Sequence, residues 1–259
     1  MAEFGRFGDL VVELGDDFVA VAEIRRAPSN FFDQALIASL ADAFEKLDAE
    51  PRCRAAVIAS EGKHFCAGAN FATAEPGLHA VGHHLYDEAV RLFATRTPVV
   101  AAVQGAAIGG GLGLALWPDF RVAAPDARFS ANFARLGFHH GFGLSVTLSR
   151  VVGQQRALEL LYTGARIDGE RALAIGLVDR LVPLERVRDA ARAFAAEIAA
   201  SGPLAIDSIR ETQRGGLAEE IRAATRRERA EQERLQHTAD FREGVAAMAE
   251  RRPPVFRGD

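Results

Sequence analysis

Between residues 10 and 123, short runs rich in Val and Ala alternate with longer amphipathic stretches, which confines the chain to an α/β fold. Residues 10–14 and 18–24 flank Gly15-Asp16-Asp17 and predict a hairpin. From residue 33 to 49 the apolar residues Leu36, Ile37, Leu40, Phe44 and Leu47 recur at helical spacing, and Pro51 closes the helix. Strands at 55–59, 99–103 and 120–123 then alternate with helices at 85–93 and 110–116. Beyond Gly153 the strand signal fades, and helices are expected over 154–162, 169–175, 185–200, 203–214, 217–235 and 240–250. The charged residues of the 217–235 helix, among them Arg222, Arg226, Glu228, Glu231 and Arg234, read as a solvated face. No Ser/Gly/Pro-rich linker divides the chain, so residues 1–200 are expected to form an α/β core and residues 201–259 a helical C-terminal extension.

Composition narrows the function classes. With 259 residues, 49% of them hydrophobic, the chain can bury a large core. A formal charge of −4 gives no basic field for nucleic acid or an anionic membrane, and no apolar run is long enough to span a bilayer. Small molecules and copies of the chain itself are the expected partners. Two cysteines, Cys53 and Cys66, cannot make a disulfide framework, and the opening residues lack the apolar region of a signal peptide, so a cytoplasmic location is expected.

Two glycine-bearing segments carry the chemistry. Phe65-Cys66-Ala67-Gly68-Ala69-Asn70 follows one buried strand, and Gly105-Ala106-Ala107-Ile108-Gly109-Gly110-Gly111 follows another. Three glycines opening a helix leave unpaired N–H groups at the positive end of its dipole, with no side chain to keep a ligand away. Such donors can build an oxyanion hole. His79, His83 and His84, and the pair His139 and His140, come without the carboxylate spacing of a zinc site, so no metal is expected. Gly109-Gly110-Gly111-Leu112-Gly113 lacks the dinucleotide fingerprint, so no nicotinamide or flavin cofactor is expected.

Together, GKHFCAGAN and VAAVQGAAIGGGLGLAL resemble the two oxyanion loops of the enoyl-CoA hydratase/isomerase (crotonase) family. The likeness continues through LELLYTGARIDGERALAIGLVDRLVP and FREGVAAMAERRPPVFRGD. It implies an α/β spiral of repeated ββα units with a helical C-terminal trimerisation region, in a homotrimer or a hexamer built as a dimer of trimers. The implied ligand is an acyl-CoA thioester, whose CoA is part of the substrate, with no separate cofactor. The resemblance assigns the oxyanion donors to the N–H groups of Ala69 and Gly110, and the substrate-binding surface to Ala67, Gly68, Asn70, Gly109, Phe133, Leu136 and Phe256. Asn70 stands where the family usually has Asp, and Phe256 matches an aromatic that covers the CoA of an adjacent subunit in relatives. Cys66 is common in the motif and is expected to be structural.

Gly113 and Phe133 fall where hydratases carry their two catalytic glutamates, and neither can transfer a proton. Counting back from Gly141-Phe142-Gly143 places His139 at a catalytic aspartate of dihydroxynaphthoyl-CoA synthase-like relatives, with His140 beside it. Imidazole suits proton transfer at neutral pH. His83 and His84 are further candidates, because dehalogenase-like relatives place a histidine in that region. The leading expectation is isomerase, retro-Claisen or hydrolase chemistry on an acyl-CoA through a stabilised enolate. The alternative is an acyl-CoA-binding oligomer without catalysis.

Overall fold

The computed structural model describes residues 1–69 and 84–259. In chain order the elements are β1 (Ala2–Phe7), β2 (Leu10–Leu14), β3 (Val19–Ile24), α1 (Gln34–Asp48), β4 (Ala55–Ser60), α2 (Leu85–Phe93), β5 (Val99–Val103), β6 (Ala106–Ile108), α3 (Gly110–Leu116), β7 (Phe120–Ala123) and β8 (Arg128–Ser130). After a 3-10 turn at Asn132–Leu136 come α4 (Leu144–Val152), α5 (Gln154–Thr163), β9 (Arg166–Asp168), α6 (Gly169–Ala174), β10 (Arg180–Leu181) and α7 (Val187–Ala199). Helices α8 (Pro203–Arg214), α9 (Leu217–Leu235) and α10 (Ala239–Glu250) complete it.

Seven strands form the main sheet in the order β1-β2-β3-β4-β5-β7-β10, antiparallel across the first three strands and parallel beyond. Residues 104 and 105 carry the chain out of this sheet into a second one, ordered β6-β8-β9. The two glycine-bearing loops lie where the chain passes from the large sheet to the small one.

Period-two alternation sends the two faces of the main sheet to different cores. Val19, Val21, Ala55, Val57, Val100 and Val122 face α7, whose Val187, Ala191, Ala195 and Ala199 repeat at a spacing of four. The opposite face, with Ala22, Ile58, Ala101 and Val103, packs on α1, α2 and α3. Asp33 starts α1 by accepting the Leu36 N–H at 2.8 Å. Within this core the Phe44 ring meets Trp117 edge-on at 4.6 Å, and Trp117 Nε1 donates to Leu92 O at 2.6 Å.

Among the described residues six elements depart from expectation: β1, α4 and the strands β6, β8, β9 and β10, which at two or three residues each are too short for alternation to mark them. Strand β1 is a half-exposed edge strand whose AEFGRF carries too little apolar alternation to signal one. Helix α4 was not anticipated either, for its LSVTLSRVV is rich in β-branched and hydroxyl residues. Its N-cap Gly143 offers no side chain, and the cap comes from α9 instead, where Glu228 accepts the Gly143 N–H at 2.8 Å and the Ser145 N–H at 3.0 Å. Glu228 therefore corrects the reading of α9 as evenly solvated. It is fully buried, in line with Leu217, Ile221 and Thr225 along one helix face.

No described helix is long and apolar enough to cross a membrane. Phe44→Ala should lower the unfolding free energy by about 3–5 kcal/mol, because the emptied site is bounded by Trp117 and cannot collapse. Urea or guanidinium titration measures this, and a loss below about 1 kcal/mol would contradict the packing described.

Candidate active site

The two glycine-bearing loops are joined through backbone. Cys66 N–H donates to Ala106 O at 2.9 Å and Ile108 N–H donates to Cys66 O at 3.1 Å, a parallel bridge that adds the first loop to the small sheet. Gly111 lies so near that a Cβ there would stand 2.1 Å from Cys66 O. Gly68 and Gly109 both hold positive φ, 91° and 58°, which favours glycine at each. Asn30, fully buried, braces the first loop by donating from Nδ2 to Glu61 O at 2.8 Å and His64 O at 2.7 Å. Ala67 N–H donates to Ser29 O at 3.0 Å, and Gln104 Nε2 donates to Ser60 O at 2.9 Å.

This bracing brings the proposed donors to one place. A Cβ built on Gly68 would fall 2.8 Å from Ile108 O and 3.9 Å from the Gly110 nitrogen. Gly110 is the first residue of α3, so its N–H has no intrahelical acceptor. Among the described residues neither that N–H nor the N–H of Ala69 has a hydrogen-bond acceptor. Phe32 bridges to Ala69, and its ring lies over Gly110, 2.3 Å from where a Cβ would be. Asn70, His79 and His83 lie outside the described residues.

Aromatic carbon surrounds this junction. A Cβ on Gly113 would be 2.7 Å from Phe142 Cβ, so the Phe142 side chain occupies the space a residue 113 side chain would need. Phe142 is buried, has φ 60° and packs on Phe32 with centroids 5.5 Å apart. Phe133 is also buried, and its Cζ lies 3.7 Å from a Cβ placed on Gly109. Leu136, three residues on in the same 3-10 turn, is also buried, its main chain pressed against Gly244 of α10.

The histidines divide into different situations. His84 caps α2, its Nδ1 accepting the Tyr86 N–H at 3.1 Å. His139 and His140 are half-buried and stacked, with centroids 4.1 Å apart. His139 Nδ1 lies 2.7 Å from His140 O, and a carbonyl can only accept, so Nδ1 carries a proton and the neutral ring is the Nδ1–H tautomer. His140 Nε2 lies 2.8 Å from Ser145 Oγ. Burial, and secondarily the neighbouring His139, push the His140 ring down to about 4, so it is neutral at pH 7. The Cys66 thiol, fully buried, is pushed up to about 12, which leaves it protonated and unreactive. Phe256 stands 40% exposed on a tail held to α10, where Asp240 accepts the Arg257 N–H at 2.7 Å and Glu243 accepts the Val255 N–H at 2.8 Å.

Residues 16–259 match the family model of enoyl-CoA hydratase/isomerase. The chain belongs to the enoyl-CoA hydratase/isomerase family. A putative enoyl-CoA hydratase of Thermus thermophilus is 34% identical over 84% of this chain and 88% of its own length. A probable enoyl-CoA hydratase of Bacillus subtilis is 32% identical over 94% and 97%. Among solved structures, an enoyl-CoA hydratase/isomerase from Pseudoalteromonas atlantica superposes with TM-score 0.86 at 30% identity, covering 96% of this chain and 100% of that one. The α/β crotonase fold is thus established.

Several residues that shape this family member's site gave little sequence signal. Asn30 and Gln104 act on backbone carbonyls, a role that no local pattern announces. Ser145, Glu228, Gln232 and Tyr86 meet only through folding, although the spacing Leu217, Ile221, Thr225, Glu228 places the carboxylate on the buried face of α9. Among the described residues no group of three His, Cys, Asp or Glu side chains could hold a metal ion.

Gly113→Ala should cost about 1–3 kcal/mol by overlap with Phe142, and most of that cost should vanish when Phe142→Ala is already present. A double-mutant cycle in urea measures the coupling, and additive costs would show that Phe142 does not fill the space over Gly113.

Proposed function

We propose that the chain binds an acyl-CoA thioester, stabilises its enolate through the backbone N–H groups of Ala69 and Gly110, and uses His139 to move the proton. The observation that carries this reading is the approach of the Gly68–Ala69 turn to the start of α3, with two amide donors lacking acceptors among the described residues. A thioester carbonyl oxygen seated between them would gain charge as the neighbouring carbon loses a proton. Preorganised donors of this kind stabilise such charge by roughly 3–4 kcal/mol each.

In the proton step, His139 Nε2 takes the proton from the carbon next to the thioester. The C–H electron pair forms the C–C double bond of the enolate and the carbonyl pair moves onto oxygen. Return of the proton to the same or a conjugated carbon completes exchange or isomerisation. In the retro-Claisen variant water, deprotonated by His139, adds to a β-carbonyl, the C–C bond breaks to release a carboxylic acid, and its electron pair forms the enolate that the proton then quenches. In the hydrolytic variant water adds to the thioester carbon, the C–S bond breaks and CoA leaves as the thiol with the proton from His139. Two-glutamate hydration is disfavoured, because Gly113 lies under Phe142 and Phe133 presents only ring carbon. Names of relatives support the substrate class: one is a carnitinyl-CoA dehydratase of Citrobacter koseri, another an (E)-benzylidenesuccinyl-CoA hydratase of Thauera aromatica. The family's trimeric or hexameric assembly, with Phe256 over a neighbouring subunit's CoA, is part of the same proposal.

The apolar filling around Gly113 and Phe133 also favours a second reading, an acyl-CoA-binding oligomer that does no chemistry. Deuterium uptake next to the thioester, followed by mass spectrometry over a panel of acyl-CoA esters in deuterated water, separates the two. The enzymatic reading expects uptake that His139→Gln reduces by about 10²- to 10⁴-fold, with ester affinity unchanged. Saturable binding without uptake supports the binder, and uptake that survives His139→Gln removes His139 from the reaction.

A further inference from the structure

Helix α9 grips the histidine loop at two points one turn apart. At the first, Glu228 Oε1 accepts the Ser145 hydroxyl at 2.6 Å and the Ser145 N–H at 3.0 Å, while Oε2 accepts the Gly143 N–H at 2.8 Å. At the second, Gln232 Nε2 donates to His139 O at 2.9 Å, while Gln232 Oε1 accepts the Tyr86 hydroxyl at 2.6 Å. The loop between Gly137 and Gly143 is therefore fixed from a helix some ninety residues away in sequence, about the separation of Gln232 and His139.

The hydroxyl of Ser145 has one proton and two polar neighbours. Glu228 Oε1, which also accepts the Ser145 N–H, takes that proton, so Ser145 Oγ faces His140 with lone pairs only. His140 Nε2 must then be the donor across the 2.8 Å contact, which fixes the ring as its Nε2–H tautomer. This assignment also excludes Ser145 as a nucleophile activated by His140, since the serine proton points the other way. The clamped His140 ring is the surface on which His139 stacks, at 4.1 Å and 25° between planes, and the His140 carbonyl fixes the His139 tautomer at 2.7 Å.

We propose that Ser145 and Glu228 are positioning residues: through His140 they hold His139 with its Nε2 lone pair bare and its ring in a single orientation. This rests on the reading of His139 as the proton-transfer group. Neither residue need touch the substrate. Their contribution is orientation, and a displacement of about 1 Å can cost on the order of 10²-fold in rate.

The test uses the full chain with ¹⁵N-labelled histidine, together with the deuterium-uptake assay. At pH 7, NMR of the wild type should show His140 as the Nε2–H form and His139 as the Nδ1–H form. Ser145→Ala should convert His140 to a tautomer mixture and lower the exchange kcat by roughly 10- to 100-fold with KM within about twofold, while Ser145→Thr should restore both. Ser145 is exposed at the surface, so its alanine variant should fold, and circular dichroism with thermal melting confirms that. An Nδ1–H tautomer at His140 in the wild type, or unchanged kcat in Ser145→Ala, overturns the proposal. His139→Gln separates the layers: if it abolishes exchange while Ser145→Ala does not, only the positioning role fails. If His139→Gln leaves exchange intact, or no ester exchanges at all, the acid/base reading fails and takes this proposal with it.

Discussion

The rest of the site depends on the backbone bridge between Cys66 and the residues on either side of Ala107. Two hydrogen bonds tie a loop leaving β4 to a strand leaving β5, and the close passage of Gly111 by Cys66 O admits no side chain between them. From that bridge the Gly68–Ala69 turn and the first turn of α3 inherit their separation. Backbone donors held this way need no reorganisation when charge develops, which is the condition for electrostatic stabilisation. Asn30 and Gln104 hold the same loop from the other side through its backbone carbonyls.

Around this polar junction the chain is apolar. Phe32 lies over Gly110, Phe142 over Gly113 and Phe133 beside Gly109. In the proposed complex such apolar walls would strengthen the interaction of a thioester oxygen with the amides, because burial lowers the local dielectric. Positions 113 and 133 hold Gly and Phe and so offer no carboxylate, and the proposed proton step is therefore assigned to His139 in the loop before Phe142. Holding Phe142 at φ 60° costs backbone energy, and the packing of its ring against Phe32 and Phe93 offsets that cost.

Much of the architecture was legible in the residues. The stripes of α1 and α7, the strands at Val99–Val103 and Phe120–Ala123 and the boundaries of α8 and α9 follow from periodicity, Gly and Pro. Helix α4 was not legible, because its own residues favour other conformations and its cap arrives from Glu228. The site divides similarly. Glycines that permit close approach, at 68, 109, 110 and 111, stand out in the chain. The residues that hold the histidine loop do not, since a hydrogen bond between Ser145 and Glu228 joins parts of the chain 83 residues apart. Glu228 was hidden in a run of surface charge; only its register with Leu217 and Ile221 marks it as buried.

The central claim is that a thioester carbonyl seats between the amides of Ala69 and Gly110. Isotope-edited infrared spectroscopy of a ¹³C-carbonyl acyl-CoA bound to the protein tests it most directly, because hydrogen bonding to the carbonyl lowers its stretching frequency. With both amides donating, the bound band should lie below that of the free ester in water, where the carbonyl already accepts ordinary hydrogen bonds. A bound band at or above the free-ester frequency, with the ester saturably bound, would contradict it.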